Sequence, residues 1–118
     1  MAHYKLTTTD EEIDAALEAA RNAPPEPRIV EATYHAERGL DLFVLKISDG
    51  RRLVLPREEL QALKGSTPEQ AADFVVGQYG TDIWWPQLDE GHYLPNLLEH
   101  RYGNDRWMEA LQQRGVAA

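Results

Sequence analysis

The chain has 118 residues, with 12 basic and 20 acidic side chains, a formal charge of -8 and 42% apolar residues. This length predicts one domain with a core large enough to need no staples, and the absence of cysteine excludes disulfides, thiolate metal sites and a cysteine nucleophile. The acid excess, with no basic run longer than Arg51-Arg52, argues against nucleic acid as a direct partner, because a phosphate binder needs a basic patch.

Apolar runs are too short for a membrane span, and Met1-Ala2-His3-Tyr4-Lys5 opens no signal-peptide stretch, so a cytoplasmic location is expected. Residues 1–27 carry six acids against Lys5 and Arg21, a net charge of -4. Thr9 followed by Glu12 matches a capping box, and Asp10, Glu11 and Glu12 suit the positive end of a helix dipole. Ile13, Ala16, Leu17 and Ala20 then form one narrow, alanine-rich apolar stripe. Ala23-Pro24-Pro25-Glu26-Pro27 ends the helix, since proline lacks the N–H donor and biases its predecessor toward extended backbone. The expected organisation is therefore an acidic helix and proline-rich linker over 1–27, followed by a single α+β domain over 28–118.

Arg28–His35 alternates as a strand, with Val30, Ala32 and Tyr34 sharing a face, and Glu37-Arg38-Gly39 reads as a turn. Leu40–Ser48 is apolar on both faces, which predicts a central strand covered on both sides or one wall of a partly closed barrel. Asp49-Gly50 fits a two-residue type I′ hairpin with both residues at positive φ. That turn pairs Ser48 with Arg51, Lys46 with Leu53 and Val44 with Leu55, so Leu53 and Leu55 would share Val44's face. Pro56 ends the strand, and a short helical insertion is expected near 57–73, with a stop at Gly65 and a second start at Ser66 or Thr67.

Phe74–Tyr79 and Asp82–Trp85 read as short strands, and Asp89-Glu90-Gly91-His92 as a polar turn or a metal half-site without its remaining ligands. Two C-terminal helices follow, over 95–102 and 105–114, with Gly115 as the stop. The expected fold is α+β: an antiparallel meander of about five strands with an N-terminal helix, a helical insertion and two C-terminal helices. Its predicted core is Leu42, Phe43, Val44, Leu45, Ile47, Leu53, Leu55, Ile83, Leu98 and Trp107.

No motif names a reaction. A site built from Ser48, His35 or His92 would need a spatial triad that no local spacing announces, so no catalytic residue, metal or cofactor is assigned. Trp84-Trp85-Pro86 is the most conspicuous cluster. Strand alternation sends the two indoles to opposite faces, so one joins the core and the other stays accessible beside Tyr93, unless both pack under the terminal helices. An accessible tryptophan is a strong anchor for a protein partner.

The order of an Asp49-Gly50 hairpin, Leu53-Val54-Leu55-Pro56, Trp85-Pro86-Gln87-Leu88-Asp89 and Leu94-Pro95-Asn96-Leu97-Leu98 resembles the bacterial domain of unknown function 2442, over about residues 28–98. Gly103–Arg114 resembles the tail of one subgroup. The resemblance implies a small α+β domain with no established enzymatic activity. Genes for similar domains often sit beside a small partner gene, in arrangements like toxin–antitoxin pairs. Some relatives carry a fused helix-turn-helix, for which this sequence leaves no room.

Two functional expectations follow. The first is a non-catalytic, antitoxin-like interaction module. It would meet a small basic protein through Trp84, Trp85, Pro86, Asp89, Glu90 and Tyr93, together with the acids Asp10, Glu11, Asp14 and Glu18 of the first helix. The second is a DNA-associated regulator that uses the C-terminal helix pair, with Arg106, Gln112, Gln113 and Arg114 on the recognition helix, as a homodimer.

Overall fold

The computed structural model describes residues 9–22 and 25–114. The expectations for Met1–Lys5, for Ala23-Pro24 and for Gly115 lie outside the described residues. Helix α1 spans Asp10–Asn22, and its start is capped as the sequence requires, with the Glu12 amide donating to Thr9 Oγ1 at 3.2 Å. None of its side chains is buried, so the Ile13/Ala16/Leu17/Ala20 stripe faces outward.

The rest is α+β. Strands β1 (Ile29–His35), β2 (Leu42–Ile47) and β3 (Arg52–Pro56) form one antiparallel meander. Strands β4 (Val75–Val76), β5 (Asp82–Trp85) and β6 (Glu90–Tyr93) form a second. Among the described residues the single sheet of about five strands is thus corrected to six strands in two three-stranded sheets. The sixth strand is the Glu90–Tyr93 segment that the sequence read as a turn, and Phe74–Tyr79 contracts to the two residues of β4.

Between β3 and β4 the chain makes two 3₁₀ turns, Arg57–Glu59 and Gln61–Leu63, and helix α2 (Pro68–Ala72). Thr67 and Gln70 close a complete capping box on α2. Helices α3 (Leu94–Leu98) and α4 (Asp105–Gln113) end the fold, α3 being shorter than the expected 95–102. Asn104 caps α4 through the Trp107 amide at 2.8 Å.

The hairpin register differs from expectation by one residue. Val44 faces Val54, Leu45 faces Leu53 and Phe43 faces Leu55. Only Gly50 of the turn has positive φ, at 94°, while Asp49 does not. The Ile47 amide bonds to the Arg51 carbonyl at 2.9 Å, and the Gly50 amide to the Ile47 carbonyl at 3.0 Å. The loop is therefore three residues long, a turn closed by a left-handed glycine, and not the two-residue form. A slip of one residue turns every side chain over. Leu53 and Leu55 accordingly share the face of Phe43 and Leu45, while Val44 lies on the half-exposed outer face with Leu42 and Lys46. Strand β2 is central in its sheet but covered on one face only.

A bulge between Ile29 and Glu31 has a similar effect in β1: it turns Val30 outward while Ala32 and Tyr34 pack on the core. One core joins the two sheets. Phe43, Leu45, Ile47 and Leu55 meet Ile83 and Trp85, closed by Leu60 and Leu63 of the insertion and Leu94 and Leu97 of α3. Of the expected core, Leu42, Val44, Leu53, Leu98 and Trp107 are only partly buried. Trp107 instead fixes α4 by donating its indole N–H to the Glu59 carbonyl at 2.8 Å. No helix among the described residues is long and apolar enough to cross a membrane.

Candidate interaction surface

The second sheet separates the two neighbouring indoles. On its inner face Trp85 is completely buried, its ring edge-on to Phe43 at 5.4 Å and its indole N–H donating to the Ala71 carbonyl at 2.9 Å. Filling that position satisfies the only polar atom of the ring, so Trp85 is core and leaves the candidate surface. On the outer face Trp84 remains 37% exposed. The alternation expected from sequence is therefore realised, and packing against Phe43 and Ala71 selects the inward ring.

Registration builds the outer face around Trp84. Val75 of β4 pairs with it on one side and Gly91 of β6 on the other, while Asp82 pairs with Tyr93. The indole spreads over Gly91: a Cβ there would stand 2.8 Å from Trp84 Cε3 and 2.7 Å from the Ile83 carbonyl oxygen. No side chain fits at 91, so the ring lies against the sheet. Val75 is 51% exposed and Tyr93 66%. The result is an apolar row across three strands, with a groove of about 220 Å³ lined by Asp82, Trp84, Glu90, Gly91, His92 and Tyr93.

Pro86 and Asp89 sit in the turn that joins β5 to β6, and both are exposed. Asp89 adopts φ 52°, the left-handed backbone that an aspartate tolerates, and this reverses the chain into β6. Glu90 follows, also exposed. Asp82 thus shares the face of Trp84, whereas Glu90, paired with Trp85, shares the side of His92 at the edge of the groove, and Asp89 lies in the adjoining turn. Asp10, Glu11, Asp14 and Glu18 stand on α1, beside its apolar stripe, and among the described residues no salt bridge or side-chain hydrogen bond joins them to this face.

His92 points to the inner side of β6, opposite Ile83. Its Nε2 accepts the Ala62 amide hydrogen at 3.2 Å, and its ring stands edge-on to Trp85 at 6.3 Å. Burial pushes its pKa down to about 4, so the imidazole is neutral at ordinary pH. Among the described residues no three histidine or carboxylate groups converge, so Asp89, Glu90 and His92 do not assemble the metal half-site considered from spacing.

The strand order, the Trp84–Trp85 alternation and the Asp-Gly hairpin are now in place, and the profile of the family described as a protein of unknown function (DUF2442) matches residues 29–103. The chain belongs to this family. The match begins where β1 begins, so α1 lies before it. The chain is similar to a protein of unknown function from Rhodospirillum rubrum, at 25% identity and a TM-score of 0.63, over 71% of this chain and 99% of that one. It shares its fold with an uncharacterised protein from Chromobacterium violaceum, at 24% identity and a TM-score of 0.59, over 91% of this chain and 95% of the other. No curated protein matches it.

Proposed function

We propose that this DUF2442 protein is a non-catalytic interaction module that docks a small basic protein on the outer face of its second sheet, in the manner of an antitoxin. The observation that carries the reading is Trp84: a large ring packed over Gly91, exposed between Val75 and Tyr93, with Asp82 on the same face and Asp89 and Glu90 exposed at the adjoining β5–β6 turn. Aromatic rings held rigid on a sheet lose little entropy on binding and dominate interface energetics. The nearby carboxylates and the net charge of -8 favour a basic partner and repel phosphates. The resemblance to domains encoded beside small partner genes supplies the antitoxin-like part of the reading, and the acids of α1 supply a second contact. The alternative, DNA reading through the C-terminal helices, has less to stand on: α3 is five residues long and Trp107 of α4 is tied to Glu59.

The test is copurification of the full chain from its host, followed by calorimetric titration of the retained protein. The expected result is a stoichiometric small basic protein whose affinity falls with salt. Trp84→Ala should weaken it by about 2 kcal/mol, roughly thirtyfold, with the fold intact. Equal affinity for wild type and Trp84→Ala, or retention of DNA with no protein, would refute the proposal.

A further inference from the structure

A second cleft, of about 420 Å³, shares Glu90, Gly91 and His92 with the groove beside Trp84 but opens toward the helical insertion and the α3–α4 connection. Its volume lies within the range of small-molecule sites. Its polar wall comes from four separate stretches of chain: Gln61 and Lys64, Glu90 and His92, Asn96, and Arg101.

The wall is built largely of donors. Gln61 Oε1 already accepts the Asn104 amide hydrogen at 2.8 Å, which leaves its side-chain NH₂ to donate elsewhere. His92 Nε2 accepts from Ala62, so in the neutral ring Nδ1 carries the proton. Arg101 gives one terminal nitrogen to Asp105 Oδ1 at 2.6 Å and keeps further N–H groups. Lys64 has no carboxylate partner among the described residues. Against these stand two carboxylates, the exposed Glu90 and the Asp105 that pairs with Arg101, so Lys64 is the cation of the cleft without a carboxylate partner among the described residues. A donor-rich cleft holding a lysine with no carboxylate partner among the described residues is an exception on a chain of charge -8, and it borders the groove beside Trp84 without being lined by Val75, Trp84 or Tyr93 themselves.

We infer that this cleft binds a small organic anion carrying a carboxylate or phosphate group, with Lys64 and Arg101 as charge partners and Gln61 and Asn96 as orienting donors. Charge-assisted hydrogen bonds to the two cations supply affinity, and the neutral amides supply direction. An anion beside His92 also favours the imidazolium, so occupancy and protonation of that ring are linked, and binding raises its pKa from about 4.

The experiment is an amide NMR titration of the full chain with citrate and, separately, with inorganic phosphate, at near-physiological chloride. Saturable shifts at the cleft residues are expected from at least one probe, with Kd of about 1 mM or tighter. The responding probe distinguishes carboxylate from phosphate. His92 ring resonances should titrate at higher pH in the bound form. Lys64→Gln and Arg101→Gln should each weaken binding by about tenfold or more. Lys64→Arg should retain it, and Trp84→Ala should leave it unchanged, which separates this site from the docking face. Lys64 is exposed, so its replacement does not threaten folding. Absence of saturation by both probes below about 10 mM, equal binding by the Gln variants, or shifts centred on Arg51 and Arg52 would overturn the inference.

Discussion

Acidifying the protein from pH 8 to pH 5 is expected to cost the native state about 2 kcal/mol through one side chain, His92. The ring is half-buried beside Trp85, accepts the Ala62 amide hydrogen, and is held by desolvation at a pKa of about 4 against an ordinary value of 6.5. The native state therefore keeps the neutral imidazole, while the unfolded chain takes up a proton as the pH falls through 6.5. Between those two values the unfolded state binds more protons, so stability is complete above the upper one and is lost on the way down to the lower. The gap caps the loss at about 3 kcal/mol, of which about 2 kcal/mol is lost by pH 5. Urea titrations of wild type and His92→Gln at pH 8, 7, 6 and 5 measure it. Glutamine retains an acceptor for Ala62 without titrating, and every other ionising group is common to both proteins. The wild-type curve should fall relative to the variant by about 2 kcal/mol across the series. Parallel curves, or an NMR titration of His92 centred near its ordinary value, would refute the reasoning.

The hairpin register separates two adjacent residues. Leu45→Ala, at a completely buried position, should destabilise by about 3 kcal/mol, and Val44→Ala on the outer face by about 1 kcal/mol or less. Equal losses in denaturant titrations would contradict the observed pairing. Gly91→Ala drives a methyl into the Ile83 carbonyl and the Trp84 ring, so it should cost about 1–3 kcal/mol and raise the mobility of the Trp84 indole; an unchanged midpoint and unchanged fluorescence would argue against the ring lying on that glycine. Tyr34, pushed up to about 12 by burial and then by the Asp41 carboxylate to which it donates at 2.6 Å, should ionise well above its ordinary value of 10.0 in an ultraviolet titration. Asp41→Asn should bring it back part of the way, and stability contributed by the protonated phenol should disappear as the pH rises past 10 toward 12.

Features that depend on a few neighbouring residues were legible in the sequence. The start of α1 at Thr9, a second start at Ser66 or Thr67 and the existence of the Asp49-Gly50 hairpin all follow from side chains reaching backbone within about one turn, while the structure selects Thr67. The alternation of Trp84 and Trp85 was legible for the same reason. Which ring points inward was not, because that is settled by Phe43 and the Ala71 carbonyl, both remote in sequence. The register of the hairpin was equally out of reach. Asp-Gly serves a two-residue or a three-residue loop, and burial of Phe43, Leu45 and Leu55 on one face chooses between them. Strand β6 had no propensity signal, since Glu90-Gly91-His92 suits a turn; it is extended because β5 offers it a ladder and Trp84 needs a position without a side chain. The donor-rich cleft left no trace at all in spacing, because Lys64, His92 and Arg101 meet only when the two 3₁₀ turns, β6 and the α3–α4 connection are folded against one another. Local chemistry determines where elements start and stop, whereas faces, registers and clefts are chosen by burial among partners that the chain brings together only on folding.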